Sequence, residues 1–161
     1  MQLLEAATTE AWSLGERRES ELYSTVPLLG TQWIQLAPRA SLGEITVPWS
    51  VSPGPGRRTV AFELSGDLRE HFDRLDQGAK ALHNGQLAWR PSADGRLFRA
   101  CLWDCQFFDA SGEPTPEPSS WTRLVAIPIV KAKAIIETQS EAWISWEVKA
   151  VMLGPPKVRF I

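Results

Sequence analysis

The sequence predicts one mostly β domain with a single main helix. Three observations carry that expectation. Short apolar runs alternate with period two, as half-buried strands do. One segment alone carries an apolar stripe at helical spacing. Clusters of Gly, Pro and Asn separate these segments at turn-like intervals. The 161 residues, 43% of them hydrophobic, are enough for one core and close to the usual size of one domain.

Residues 1–27 form an N-terminal segment in which Leu3, Leu4, Ala7, Ala11 and Leu14 suit a short helix. Residues 28–161 then make the single β-barrel domain. Thr31–Ala37 (TQWIQLA) and Glu44–Val51 (EITVPWSV) read as strands, and Ser52–Arg58 as a flexible loop ending in two arginines. In Arg58–Leu64, Val60, Phe62 and Leu64 alternate with Thr59, Ala61 and Glu63. The helix follows. Leu68, Phe72, Leu75, Ala79 and Leu82 form its stripe, while Glu70, Asp73, Arg74 and Lys80 face water. Asp67 and Glu70 have the spacing of a capping box, and Asn84-Gly85 supplies the stop.

Gln86–Arg90 is a short strand, and Leu97–Phe108 is long, apolar on both faces and therefore central. Residues 109–120 are a Pro-rich surface loop. Leu124–Thr138 and Ala142–Leu153 make the last hairpin, and Lys157–Ile161 adds an edge. The order is three strands, one helix, then three or more strands. A small barrel with its helix between the third and fourth strands has this order, which is that of an OB-fold. A β-sandwich is the alternative.

Composition excludes several functions. The net charge of −2 and pI near 5.7 are not those of a strongly basic nucleic-acid binder, although a local basic stripe can sit on an acidic body. Cys101 and Cys105 are too few for a disulfide framework and too far apart on one strand to bond, so both read as reduced, buried small hydrophobes. His71 reads as a rim residue of the helix and His83 sits by its stop; neither has metal-ligand spacing. No phosphate loop, GxSxG or HExxH occurs, so no enzyme activity, metal or cofactor is expected. Met1–Glu5 does not begin a signal peptide, and Leu124–Val130 is far too short to span a bilayer. The expectation is a cytosolic or equivalent reducing compartment, with no membrane partner.

The last hairpin carries the functional signal. Side chains alternate faces along a strand. Ala142, Ile144, Trp146, Val148, Ala150 and Met152 share an apolar face, while Trp143, Ser145, Glu147, Lys149 and Val151 share the other. In the preceding strand Val130, Ala132, Ala134 and Ile136 face one way, and Lys131, Lys133, Ile135 and Glu137 the other. Pairing the mixed faces places Lys131, Lys133 and Lys149 around Trp143 on the outside of the sheet. Lysines beside an exposed ring suit a single strand of nucleic acid: cations neutralise phosphates and the ring stacks on an unpaired base.

The chain resembles, in pattern, the single-stranded DNA-binding proteins of bacteriophages and large DNA viruses. The residues that carry the resemblance are Pro48-Trp49-Ser50, Arg57–Leu64 (RRTVAFEL) running into the helix, Leu97–Trp103, Val130–Ile136 (VKAKAII) and Ala142–Leu153 (AWISWEVKAVML). The resemblance covers roughly residues 28–161 and implies an OB-fold that coats single-stranded DNA during replication or recombination, in the host-cell cytoplasm. Lys131, Lys133 and Lys149 would then hold phosphates, with Arg57 and Arg58 closing over the strand. Trp143 would be the first stacking residue, with Trp49 and Trp89 as further ones. The acidic tail through which many members recruit replication partners has no counterpart in the ending Lys157–Ile161. The expected partner is single-stranded nucleic acid, DNA ahead of RNA, and the pattern is compatible with a homo-oligomer. The alternatives are a virion or scaffold domain that assembles through protein contacts and a carbohydrate-binding module whose Trp side chains stack on sugars.

Overall fold

A computed structural model describes residues 1–37, 45–48, 51–54, 57–64 and 67–154, without the side chains of 52–57. Five long strands and one helix carry the fold: β1 (Ser24–Leu29), β2 (Arg57–Glu63), α1 (Leu68–His83), β3 (Leu97–Phe108), β4 (Ala126–Glu137) and β5 (Glu141–Leu153). The spatial order is β1-β4-β5-β3-β2. Every pair is antiparallel except β3 and β5, which run parallel from Cys101 opposite Glu147 to Phe108 opposite Met152.

The sheet curls into a half-barrel. Residues 45–47 bridge its two sides, because Thr46 pairs with Glu63 at the end of β2 and with Val125 just before β4. Backbone bonds from Val47 N to Leu124 O (3.0 Å), from Ala126 N to Ile45 O (3.0 Å) and from Glu63 N to Thr46 O (2.7 Å) hold that bridge. In the resulting ring the helix lies between the second and third members, β2 and β3, not between a third and fourth. The expected first strand, Thr31–Ala37, shrinks to Ile34–Gln35, which only extends the sheet beside β4.

The helix stripe packs as its period requires. Leu68, Phe72, Leu75 and Ala79 are buried and Leu82 is half-buried. Phe72 stacks on Phe98 with centroids 4.3 Å apart, and Trp146 meets both rings edge-on at 5.4 and 5.6 Å. Asn84 ends the helix in a left-handed conformation with φ 52°. Asp67 occupies the cap position without a side-chain capping bond, because its own backbone is already helical (φ −92°, ψ −10°) where a capping side chain needs extended backbone. Arg74 does not merely face water: its guanidinium donates to the carbonyls of Glu5 and Ala7, both at 3.1 Å.

Those carbonyls belong to a segment that is not the short helix expected at the N-terminus. Gln2–Leu3 pairs with Ile34–Gln35, Leu4–Ala6 is one 3-10 turn, and Ser13–Leu14 and Arg18–Glu19 pair with β1. Of the apolar residues that suggested a helical stripe, Leu4 and Ala7 pack into the core, Leu14 is half-buried, and Leu3 and Ala11 are exposed. Leu4, Ala7 and Trp12 are buried, and the Trp12 ring meets Trp146 at 6.5 Å. Residues 1–27 are thus part of the sheet and its cover. Gly78 makes the close approach to this segment, since a Cβ there would lie 2.1 Å from Thr9 Oγ1.

The 109–120 excursion folds back on itself. Pro114–Thr115 pairs with the end of β3, and Trp121 is buried edge-on to Phe107 at 5.5 Å. The edge strand expected at 157–161 lies outside the described residues. No helix among the described residues is long and apolar enough to cross a membrane.

Replacing Phe72 with Ala removes the ring at the junction of helix and sheet. The expected loss of stability is about 3–5 kcal/mol in chemical denaturation. A near-unchanged midpoint would show that the helix does not carry the core.

Candidate nucleic-acid interface

Three bulges shape the outer face of the sheet. Ala132 lies opposite Trp146 and Ala134 opposite Ser145, so Lys133 is an extra residue in β4. Ile129 lies opposite Ala150 and Val130 opposite Val148, so Lys149 is an extra residue in β5. Leu102 and Gln106 of β3 lie opposite Val148 and Ala150, which crowds Trp103, Asp104 and Cys105 against Lys149. Asp104 takes φ 51°, the left-handed turn such a bulge uses. A bulge reverses the in-out alternation beyond it. Ile135 therefore joins Ile144 on the core side, and Ile136 lies across from Trp143, the reverse of the unbroken alternation that the sequence suggested.

The start of β5 and the start of β3 diverge, and residues 88–94 arch across the fork. Ala88–Trp89 pairs with Glu141–Ala142, and Ala93–Asp94 pairs with Leu97–Phe98. A buried polar network fixes this arch. Asp76 of α1 accepts from Trp89 Nε1 (3.1 Å), Ser92 N (2.8 Å) and Ser92 Oγ (2.7 Å). The Ser92 hydroxyl in turn accepts from Trp146 Nε1 at 2.8 Å. Burial pushes the Asp76 carboxyl above its ordinary range, against the pull of these hydrogen bonds.

The arch presents Arg90 to the groove. Its guanidinium lies 4.0 Å above the Trp143 ring and donates to Glu141 at 2.8 and 2.9 Å. Behind it opens a cavity of about 580 Å³ lined by Arg90, Asp94, Arg99, Trp143 and Ser145 among others. A second cavity of about 180 Å³ is lined by Trp103, Lys133 and Glu147. Cys101, Ser145 and Trp146 border both, so the two adjoin along β3 and β5 and make one grooved surface.

Of the residues singled out from sequence, Trp143 is half-buried at one end of the groove and Trp146 is buried beneath it, 2% exposed. The lysines do not surround Trp143. Lys133 lines the other end, and Lys131 lies across from Glu147. Lys149 sits 3.1 Å from Glu147, so its charge is compensated. Arg58 is held by Glu117 of the 109–120 excursion through two hydrogen bonds, one of 3.0 Å, which raise its pKa and lower that of Glu117. Trp89 packs against His83 and donates its N–H to Asp76, a structural placement. The backbone of Arg57 lies in β2, but its side chain and Trp49 lie outside the described residues.

Arg90, Arg99 and Trp103 were not legible as site residues. Trp103 is 63% exposed, because β3 is apolar on one face only: Arg99 and Trp103 point outward. The signal that could have found them is the alternation Arg99, Cys101, Trp103 against Phe98, Ala100, Leu102. Among the described residues Arg99 and Lys133, which line the groove, form no ion pair, nor does Lys131 across from Glu147, and Asp94 in the lining forms none either.

No protein-family model matches the chain, and no characterised protein is significantly similar to it in sequence.

Both cysteines are free and half-buried rather than fully buried. Burial, with Glu117 nearby, pushes the Cys105 thiol from its ordinary 9.0 up to about 12. The unfolded chain ionises this thiol first, so the native state loses stability as pH climbs from about 9 toward 12. A Cys105→Ala variant is expected to show a shallower alkaline loss than the parent in melts across that range. Equal slopes in the two proteins would mean that the thiol is solvated.

Proposed function

We propose that this chain is an OB-fold protein that binds single-stranded nucleic acid, DNA ahead of RNA, without reading its sequence, and that it acts by binding rather than catalysis. The role is that of a protein coating single strands in replication or recombination, as in the phage and large-DNA-virus proteins its sequence resembles. The observation that carries the reading is the pairing of a half-buried aromatic contact, Arg90 over Trp143, with two unpaired cations, Arg99 and Lys133, that line the same groove. A guanidinium plane on an indole is itself a surface on which a base can stack. Arg99, Lys131 and Lys133 provide phosphate contacts, which act through charge and counterion release. A small, partly open five-membered barrel whose face takes oligonucleotides fits the ring formed by 45–47, β2, β3, β5 and β4.

A second reading, assembly through protein contacts, has one observation in its favour. Leu3 and Trp33 are exposed at the edge strand Gln2–Leu3, and Leu29 is exposed at the end of β1. It predicts concentration-dependent association without nucleic acid.

The deciding experiment titrates the full chain with a fluorescent oligothymidine at two salt concentrations. Binding is expected to quench Trp emission and to weaken steeply with salt. Trp143→Ala is expected to leave the fold intact and to weaken binding by roughly 1–3 kcal/mol. Trp146→Ala is expected instead to destabilise the fold by roughly 3–5 kcal/mol. No quenching at low salt, or unchanged affinity in the Trp143 variant, refutes the stacking site.

Removing a phosphate contact has a different signature. Lys133→Ala is expected to weaken all sequences alike and to reduce the salt slope by about 0.7. Weakening confined to particular sequences would point to base readout.

A further inference from the structure

Resting on the single-strand reading, we infer that Trp103 is a second stacking platform and that Trp103 and Trp143 together define a short site spanned by one strand. Trp103 is the most exposed Trp among the described residues, at 63%. It is not a stray surface ring. The β3 bulge and the left-handed Asp104 lift it out of the sheet at the mouth of the 180 Å³ cavity, beside Lys133. It shares its outward face with Cys101 and Arg99, which line the path toward Trp143.

The spacing sets the length of strand. Leu102 pairs with Val148, so Trp103 stands level with Lys149, six residues along β5 from Trp143. At the rise of a strand the two backbone positions are at most about 20 Å apart, since Lys149 is a bulge residue and Trp103 lines the small cavity with Ser145 and Glu147. An extended single strand covers that distance with about four nucleotides, the small end of the range for one small barrel. One base then stacks at Trp143 and Arg90, and another at Trp103. The phosphates between them pass Arg99 and Lys133, which form no ion pair among the described residues. Glu141 and Glu147 are engaged by Arg90 and Lys149 and so repel the strand less than free acids would, whereas Asp94 in the lining and Asp104 beside Trp103 form no ion pair among the described residues and oppose the phosphates.

The test is fluorescence anisotropy of the full chain with labelled oligothymidines from about two to about eight nucleotides long, at low salt. The parent protein is expected to gain affinity steeply up to about four nucleotides and slowly beyond. Trp103→Ala is expected to lose about 5- to 150-fold with the longer oligomers and to leave dinucleotide affinity unchanged. Trp103→Phe is expected to keep most of the affinity, and melting curves of both variants to match the parent. Unchanged binding of long oligomers by Trp103→Ala, with Trp143→Ala still impaired, overturns the second platform and leaves the single-strand reading standing. Absence of any oligothymidine binding by the parent overturns both.

Discussion

The carboxylate of Asp76 is the interaction on which the rest of the groove depends. It sits on the buried face of α1, where an unsatisfied charge would cost several kcal/mol. Three donors converge on it, and two of them belong to Ser92. Ser92 passes the constraint on, because its hydroxyl donates to Asp76 and accepts from Trp146. A single hydroxyl can do both. Helix, arch and central core ring are therefore locked through one residue pair. Arg90 stands on that arch, so the orientation of the guanidinium over Trp143 follows from a carboxylate on the opposite side of the sheet.

The bulges do for the sheet what the network does for the arch. A regular pleat with Lys133 and Lys149 in register would have put Ile135 on the outer face and Ile136 in the core. Each extra residue resets the alternation and leaves a lysine at the irregular position: the Lys133 bulge brings Ile135 to the core and the Lys149 bulge brings Val151 there. The same device in β3 carries Trp103 outward. Bulges also increase local twist, in keeping with a sheet that curls into a half-barrel. Shape and chemistry of the groove thus share one cause.

A second polar cluster holds the far end. Glu137, at the end of β4, is almost fully buried between Arg17 and His83, with His83 Nε2 at 2.7 Å. It ties the last turn of the helix and the N-terminal segment to the β4–β5 hairpin. With Arg74 gripping the carbonyls of Glu5 and Ala7, this makes the first 20 or so residues a cover whose position is set by side chains of later elements. The helical spacing of its apolar residues is overridden, because its conformation is dictated by acceptors and pockets made elsewhere.

What the sequence determined by itself is what local periodicity encodes. The bounds of Leu97–Phe108, α1 to within its cap and the opposite facing of Trp143 and Trp146 are legible in the sequence, although β3 is apolar on one face rather than two and Trp143 is half-buried rather than exposed. In each case the side chains repeat with a period that only one secondary structure satisfies. Tertiary structure alone decided everything that depends on which segments meet. It turned the N-terminal residues into strands and a 3-10 turn, gave 45–47 the task of bridging β2 and β4, and placed the lysines away from Trp143. It also paired Arg58 with a glutamate 59 positions away and brought Arg90, Arg99 and Trp103 into one groove. The physical reason is the same throughout. Bulges and long-range hydrogen bonds form where distant segments must be reconciled with one another, and no window of neighbouring residues contains that information.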